Sequence, residues 1–176
     1  MLYIYIISGG DNLNKDDIKG NKILISSFST KYSLSKNKYN QNRIYNMQKA
    51  ANAISVIIKH NEEFNWFKIV GVANHKNGYM LAEVIKNGKM VLGYGGGICQ
   101  VTTTLYQALL KTPLKILEKH SHSKNVIYIE KGKDATVSFP YKNFRFLNTT
   151  NNDIMIEANV KNGIMQVNIY KIINNI

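Results

Sequence analysis

The sequence predicts an α+β fold: a single domain with a largely antiparallel sheet, two principal helices, and Cys99 at a helix N-terminus. Three observations predict it. Asn162-Gly163 and Asn87-Gly88 each separate two apolar runs, a strong signal for a two-residue hairpin turn. Ile44, Met47, Ala51, Ile54 and Ile58 recur at spacings of three or four, the period of an amphipathic helix. A run of glycines before Cys99 and a Thr112-Pro113 stop after Leu110 bracket a second helix.

Taken in order, residues 1–20 read as a leader and residues 21–176 as the domain, because Asp11 to Gly20 is polar and turn-rich. Leu2 to Ile7 is apolar but has no basic flank or small-residue cleavage site, so it does not read as a signal peptide. Either the protein stays inside, or an export segment lies upstream. Ile23 to Phe28 is a short strand ending in Ser29-Thr30, and the first helix spans Asn42 to Lys59, capped by Asn40 or Asn42. The second runs from about Cys99 or Gln100 to Leu110. Strands are expected at Val126–Ile129, Ala135–Phe139 and Phe144–Leu147. The Asn162-Gly163 turn fixes a register in which Lys161 pairs with Ile164, Val160 with Met165, Ala158 with Val167 and Ile156 with Ile169. The last three pairs are apolar, so turn and pattern agree. Asn87-Gly88 likewise sets Ile85 against Met90 and Val84 against Val91.

A chain of 176 residues, 44% hydrophobic, can bury one good core but not two comfortable domains. No apolar run approaches the ~20 residues of a membrane span, so no stable membrane insertion is expected. The net charge of +12 would suggest an anionic partner, but the lysines are scattered, without a block or a basic face with interleaved aromatics. Nucleic acid is therefore not expected. Gly93 to Ile98 lacks the third glycine of a dinucleotide fingerprint, and no Lys-Ser/Thr follows for a phosphate loop. Asn148-Thr149-Thr150 matches a glycosylation sequon, a match common by chance.

The chemistry centres on Cys99, the only cysteine. Gly95, Gly96 and Gly97 allow a sharp turn and the approach of a substrate to main-chain N–H groups. A helix start favours a thiolate over a thiol, whose ordinary pKa is about 8.5. An activated thiol beside such donors is equipped for acyl transfer; the plainer alternative is a small buried hydrophobe. His120 and His122 follow the second helix, where a loop can fold back to its start. If residues 120–122 are extended, the two rings point to opposite sides and only one faces the thiol. His122 is the favoured base and His120 the weaker one, because Ser123 and the following strand should hold position 122 more rigidly. Asp134 is placed to orient the imidazole, or else is an ordinary turn residue. A zinc site from Cys99, His120 and His122 lacks an evident fourth ligand, so no metal is expected. His60 and His75, in lysine- and asparagine-rich surroundings, read as surface residues. Arg145, between Phe144 and Phe146, is expected nearer Cys99 than Arg43, with its planar fork gripping a substrate carboxylate; a surface salt bridge is the alternative. Arg43, at a helix start, opposes the dipole and needs an acidic partner or another reason to be there.

Gly95 through Tyr106, Glu118-Lys119-His120-Ser121-His122-Ser123, Gly132 through Val137 and Phe144-Arg145-Phe146 together resemble the VanW family. The family is named for an accessory protein of glycopeptide-resistance clusters in Gram-positive bacteria. The resemblance continues upstream through Phe28-Ser29-Thr30, Asn42-Arg43 and Asn87-Gly88 and covers about residues 22–170, making residues 21–176 a VanW-like domain. It implies a peptidoglycan L,D-transpeptidase, or a carboxypeptidase, with Cys99 as nucleophile on stem peptides, and no cofactor. Cys99, His122, His120 and Asp134 are then the candidate catalytic residues. Gly95, Gly96, Gly97, Gln100 and Arg145 are the candidate substrate-binding residues. It further implies an extracellular, cell-wall location, and a monomer is expected. The competing reading is a non-catalytic wall-binding or glycopeptide-resistance accessory module in which Cys99 packs in the core.

Overall fold

The structure, a computed structural model, describes residues 22–86 and 88–173. The expected leader and Asn87 lie outside the described residues. The elements are β1 (Lys22–Lys31), α1 (Lys38–Ile54), β2 (Ile57–Ile58), β3 (Glu63–Asn65), α2 (Trp66–Ile69), β4 (Leu81–Lys86), β5 (Lys89–Tyr94), α3 (Ile98–Leu109), β6 (Lys115–Glu118), β7 (Arg145–Leu147), β8 (Ile154–Lys161) and β9 (Ile164–Ile172). Every strand pairing among them is antiparallel. The strands form three sheets, ordered β1-β9-β8-β2, β3-β7-β6 and β4-β5.

The β8–β9 hairpin has the register set by its turn, with Val160 opposite Met165, Ala158 opposite Val167 and Ile156 opposite Ile169. Asn162 and Gly163 both take positive φ, 51° and 80°, as the tight primed turn requires. The β4–β5 hairpin sets Ile85 opposite Met90 and Val84 opposite Val91. Ile156, Val160, Met165, Val167 and Ile169 are buried, and they pack with Met47 and Ala51 of α1 and Val101 and Leu105 of α3 into one core. Beside it, Phe64 stacks on Phe146 at 4.8 Å between ring centroids. Phe64, Phe144 and Phe146 are fully buried, each ring contributing on the order of 2–3 kcal/mol by burial.

Several boundaries differ from expectation. The α1 cap is Asn37, whose side chain accepts from the Asn40 N–H at 2.8 Å; the Asn40 side chain instead donates to the Ser33 and Ser35 carbonyls and closes the preceding turn. The helix stops at Ile54 rather than Lys59. Ser55 Oγ donates to the Ala51 carbonyl and accepts from the Ala158 N–H, and Ile57-Ile58 pair with β8. Ile58 thus had helical spacing by coincidence. Residues 126–129 form a turn rather than a strand, and Ala135–Phe139 contains only isolated bridges, His120 to Thr136 and Ser138 to Lys142. Side chains of α3 take backbone groups in the second segment that a neighbouring strand would otherwise take. The Thr103 hydroxyl donates to the Ala135 carbonyl and accepts from its N–H, and Gln107 donates to the Lys133 carbonyl. Asn148 is fully buried, with its amide donating to the Ile58, Lys59 and Asn152 carbonyls, so it is a structural clamp and not an exposed glycan acceptor. Among the described residues no helix is long and apolar enough to cross a membrane.

Candidate active site

The loop after β5 reaches α3 through Gly95-Gly96-Gly97, and Gly97 caps the helix with φ 105°. Cys99 is therefore the second residue of α3, partly exposed, in the turn where unpaired N–H groups and the helix dipole stabilise negative charge. The glycines also allow a close packing of the turn. A Cβ on Gly95 would lie 2.5 Å from the Ala73 Cβ, one on Gly96 2.5 Å from the Glu83 carbonyl oxygen, and one on Gly97 2.9 Å from the Arg43 Cγ. On the side where a Cβ would stand, each meets protein atoms at 2.9 Å or less. They seat the turn tightly against α1 and β4, so that Cys99 is held in one place. Buried Asn46 completes the clamp, donating to the carbonyls of Met80 and Gly96 and accepting from the Met80 N–H.

His120 forms an isolated bridge with Thr136, and the rings of His120 and His122 take different partners. His122 faces the thiol and accounts for the largest influences favouring the Cys99 thiolate. Its Nδ1 lies 2.6 Å from Asp134 Oδ2, which also accepts the His122 backbone N–H at 2.6 Å. A carboxylate on Nδ1 fixes the tautomer and leaves Nε2 for the sulfur. Both side chains are nearly buried, at 9% and 8% exposure. Thr136 Oγ1 stands 3.2 Å from Cys99 Sγ, and the Thr136 N–H donates to the His120 carbonyl.

The charges follow from this geometry. Burial opposes ionisation of Cys99, but the hydrogen bond and charge of His122, with the Thr136 hydroxyl, outweigh it and hold the thiol below its ordinary value. Burial likewise opposes the imidazolium, yet Cys99 and Asp134 together raise the His122 pKa. Asp134 is held below the usual carboxylate range: burial resists, and the backbone N–H and ring of His122 prevail. Thiol, imidazole and carboxylate stand in a row, and each favours the charged form of its neighbour.

His120 is not in that row. Its Nε2 bonds Glu118 Oε1 at 2.9 Å. Arg145 is committed to the same outer network, forked onto Glu63 at 2.8 and 2.9 Å and 3.6 Å from Glu118. Arg145 thus has the salt bridges that were its alternative reading. Arg43 instead donates through Nη2 to Gln100 Oε1 at 2.6 Å, and its charge acts on Cys99. Gln100 is not available to a substrate either. It is 1% exposed, and its amide nitrogen donates to the Thr30 hydroxyl and the Lys31 carbonyl. His60 and His75 are exposed, and His75 packs edge-on against Tyr94. Among the described residues no group of three or more His, Cys, Asp or Glu is arranged to hold a metal.

Sequence reasoning missed Thr103, Gln107, Thr136, Tyr128 and the role of Arg43. One signal was present. Cys99, Thr103 and Gln107 are four apart and share one stripe of α3, and the latter two hold the strip that carries Asp134 and Thr136 beside the first. Tyr128 follows from no such spacing. It lies within electrostatic reach of Cys99, Arg43 and Asp134, and burial foremost raises its pKa.

Residues 42–170 match the family described as VanW like protein. The chain belongs to the VanW family. Over 135 residues, 76% of this VanW-family chain, it is 38% identical to the uncharacterized protein YoaR of Bacillus subtilis (strain 168), covering 45% of that protein. Over 119 residues, 64% of the chain, it is 31% identical to the Vancomycin B-type resistance protein VanW of Enterococcus faecalis (strain ATCC 700802 / V583), covering 43% of it. The chain thus spans less than half the length of these curated relatives. No solved structure gives a significant match.

Proposed function

We propose that this VanW domain is a cysteine acyl transferase acting on peptidoglycan stem peptides, an L,D-transpeptidase that releases D-Ala through a thioester on Cys99. The observation that carries the reading is the Cys99–His122–Asp134 chain at the start of α3. The Cys99 thiolate attacks the carbonyl carbon preceding the terminal D-Ala, and the carbonyl electron pair moves to oxygen. The Gly95, Ile98 and Gln100 N–H groups bond Met80, Gly95 and Gly97 carbonyls, so the oxyanion falls to those of Gly96, Gly97 and Cys99. Collapse breaks the C–N bond as the His122 imidazolium protonates the leaving amine, giving thioester, neutral imidazole and D-Ala. An acceptor amine then attacks the thioester, His122 takes its proton, and the thiolate is restored with a crosslink formed. Water in place of the amine gives a carboxypeptidase. The association of one relative's name with vancomycin resistance is consistent with action on the cell wall, and such a substrate implies an extracellular location.

The test is incubation of the purified protein with a disaccharide tetrapeptide, with and without an acceptor stem, followed by mass spectrometry. Release of D-Ala, abolished in Cys99→Ala protein that keeps its fold, is the expected result. Release at the wild-type rate by Cys99→Ala would remove Cys99 as nucleophile. An inert thiol and no turnover would leave the accessory-module reading.

A further inference from the structure

The guanidinium of Arg43 is a charge without a counter-ion. Among the described residues no carboxylate lies within ion-pair distance of it, whereas Arg145 has two. Its partners are neutral: Gln100 Oε1 at 2.6 Å and the thioether of Met47 at 3.1 Å. A guanidinium carries five N–H donors, so these partners leave donors over. Nor is the group mobile. Its stem packs on Gly97, where any Cβ would lie 2.9 Å from Arg43 Cγ, and its head is tied to the residue after Cys99. The same two residues that place the sulfur, one at the helix cap and one in its first turn, therefore also place this cation. Burial disfavours the cation, while Tyr128, Cys99 and Glu83 favour it from a distance. A half-buried, prepositioned fork with donors to spare is the arrangement that takes a carboxylate in two parallel bonds.

We propose that Arg43 is the recognition site for the free carboxylate of the leaving residue, so that Cys99 acts at a C-terminal peptide bond and not within a chain. The proposal rests on the reading of Cys99 as an acyl-transfer nucleophile and adds what that nucleophile selects. The carboxylate on the leaving amino acid lies one carbon beyond the scissile nitrogen, so a cation tied to the residue after Cys99 and in electrostatic reach of it orients the bond as it binds the acid. Tyr128 lies in electrostatic reach of both Arg43 and Cys99.

Two measurements test it. The first needs no turnover: the rates at which anionic iodoacetate and neutral iodoacetamide alkylate Cys99 are compared. A carboxylate seat beside the sulfur should raise the iodoacetate-to-iodoacetamide ratio about tenfold over that of Arg43→Gln, with Arg43→Lys in between because it keeps charge but not the fork. A ratio unchanged in Arg43→Gln overturns the proposal, even if peptides are turned over. The second uses wild-type protein alone, comparing tetrapeptides ending in a free D-Ala carboxylate or its amide. The free acid should be preferred at least tenfold in kcat/KM. Equal rates overturn the proposal while leaving the acyl-transfer reading intact. No turnover of either peptide, with the iodoacetate preference present, would instead refute the stem-peptide reading and keep the anion seat. Should Arg43→Gln fail to fold, the free-acid preference of the wild type decides alone.

Discussion

The two arginines and the two neighbouring histidines sort into two networks built from the same kinds of residue. In the outer one, Arg145 is bound by Glu63 and Glu118, and His120 by Glu118. Here the guanidinium and its carboxylates are matched, and their side chains are about a third exposed, so water screens the pairs and they do little beyond tying β3, β6 and β7 together. In the inner network, His122 and Asp134 are nearly dry, the sulfur of Cys99 stands at a helix start, and Arg43 meets only neutral groups. His122 and Asp134 pair with each other, but among the described residues the Arg43 guanidinium has no carboxylate within ion-pair distance. Chemistry needs such unspent interactions, and a scaffold does not.

Four substitutions or titrations would break or sharpen this contrast. The largest effect is expected at His122. His122→Ala should lower turnover of a stem tetrapeptide by roughly 10²–10⁴-fold, the usual contribution of a positioned acid–base group, while His120→Ala stays close to wild type. A large loss at His120 alone would exchange the two networks' roles. Next, the pH profile of Cys99 alkylation should have its inflection below the ordinary thiol value of about 8.5. His122→Ala should move that inflection upward, because the imidazolium is the largest influence favouring the thiolate. An inflection unchanged by the substitution would show that His122 does not activate the sulfur.

Asp134→Asn should cost both rate and stability, and the stability part has a defined pH sense. Asp134 is depressed in the folded state, so its contribution is present above the unfolded value of about 3.9 and is lost as pH falls through the folded value. The gap in Tm between wild type and Asp134→Asn should therefore narrow on acidification below about pH 4. His122, raised when folded, contributes fully below its unfolded value of about 6.5 and loses that contribution as pH rises through the folded one. A Tm gap that widened in acid would mean that Asp134 is not the ionised partner. The smallest effect is expected in the outer network. Arg145→Lys should leave peptide binding unchanged, since its fork is occupied by Glu63. Weakened binding would restore Arg145 as a substrate contact.

Local sequence determined a good deal of this molecule. Asn-Gly turns fixed both hairpin registers, because a two-residue turn admits one pairing, and in β8–β9 alternation also fixes the buried face. The glycine run and the Thr112-Pro113 stop bracketed α3 to within a residue or two, and an extended 120–122 segment was expected to send the two histidines to different sides, as their separate partners do. What it could not determine was every feature resting on contacts between distant segments. Ile58 had helical spacing but was drawn into a strand by β8. The strip around Ala135 is held by side chains of α3 instead of by a neighbouring strand. The choice between arginines was likewise tertiary: Glu63, 82 residues from Arg145 in sequence, claims one, and Gln100, 57 residues from Arg43, ties the other to the first turn of α3. Periodicity is a property of a segment and can be read from it. Which charges remain uncompensated depends on the whole fold, because a counter-ion can arrive from anywhere along the chain.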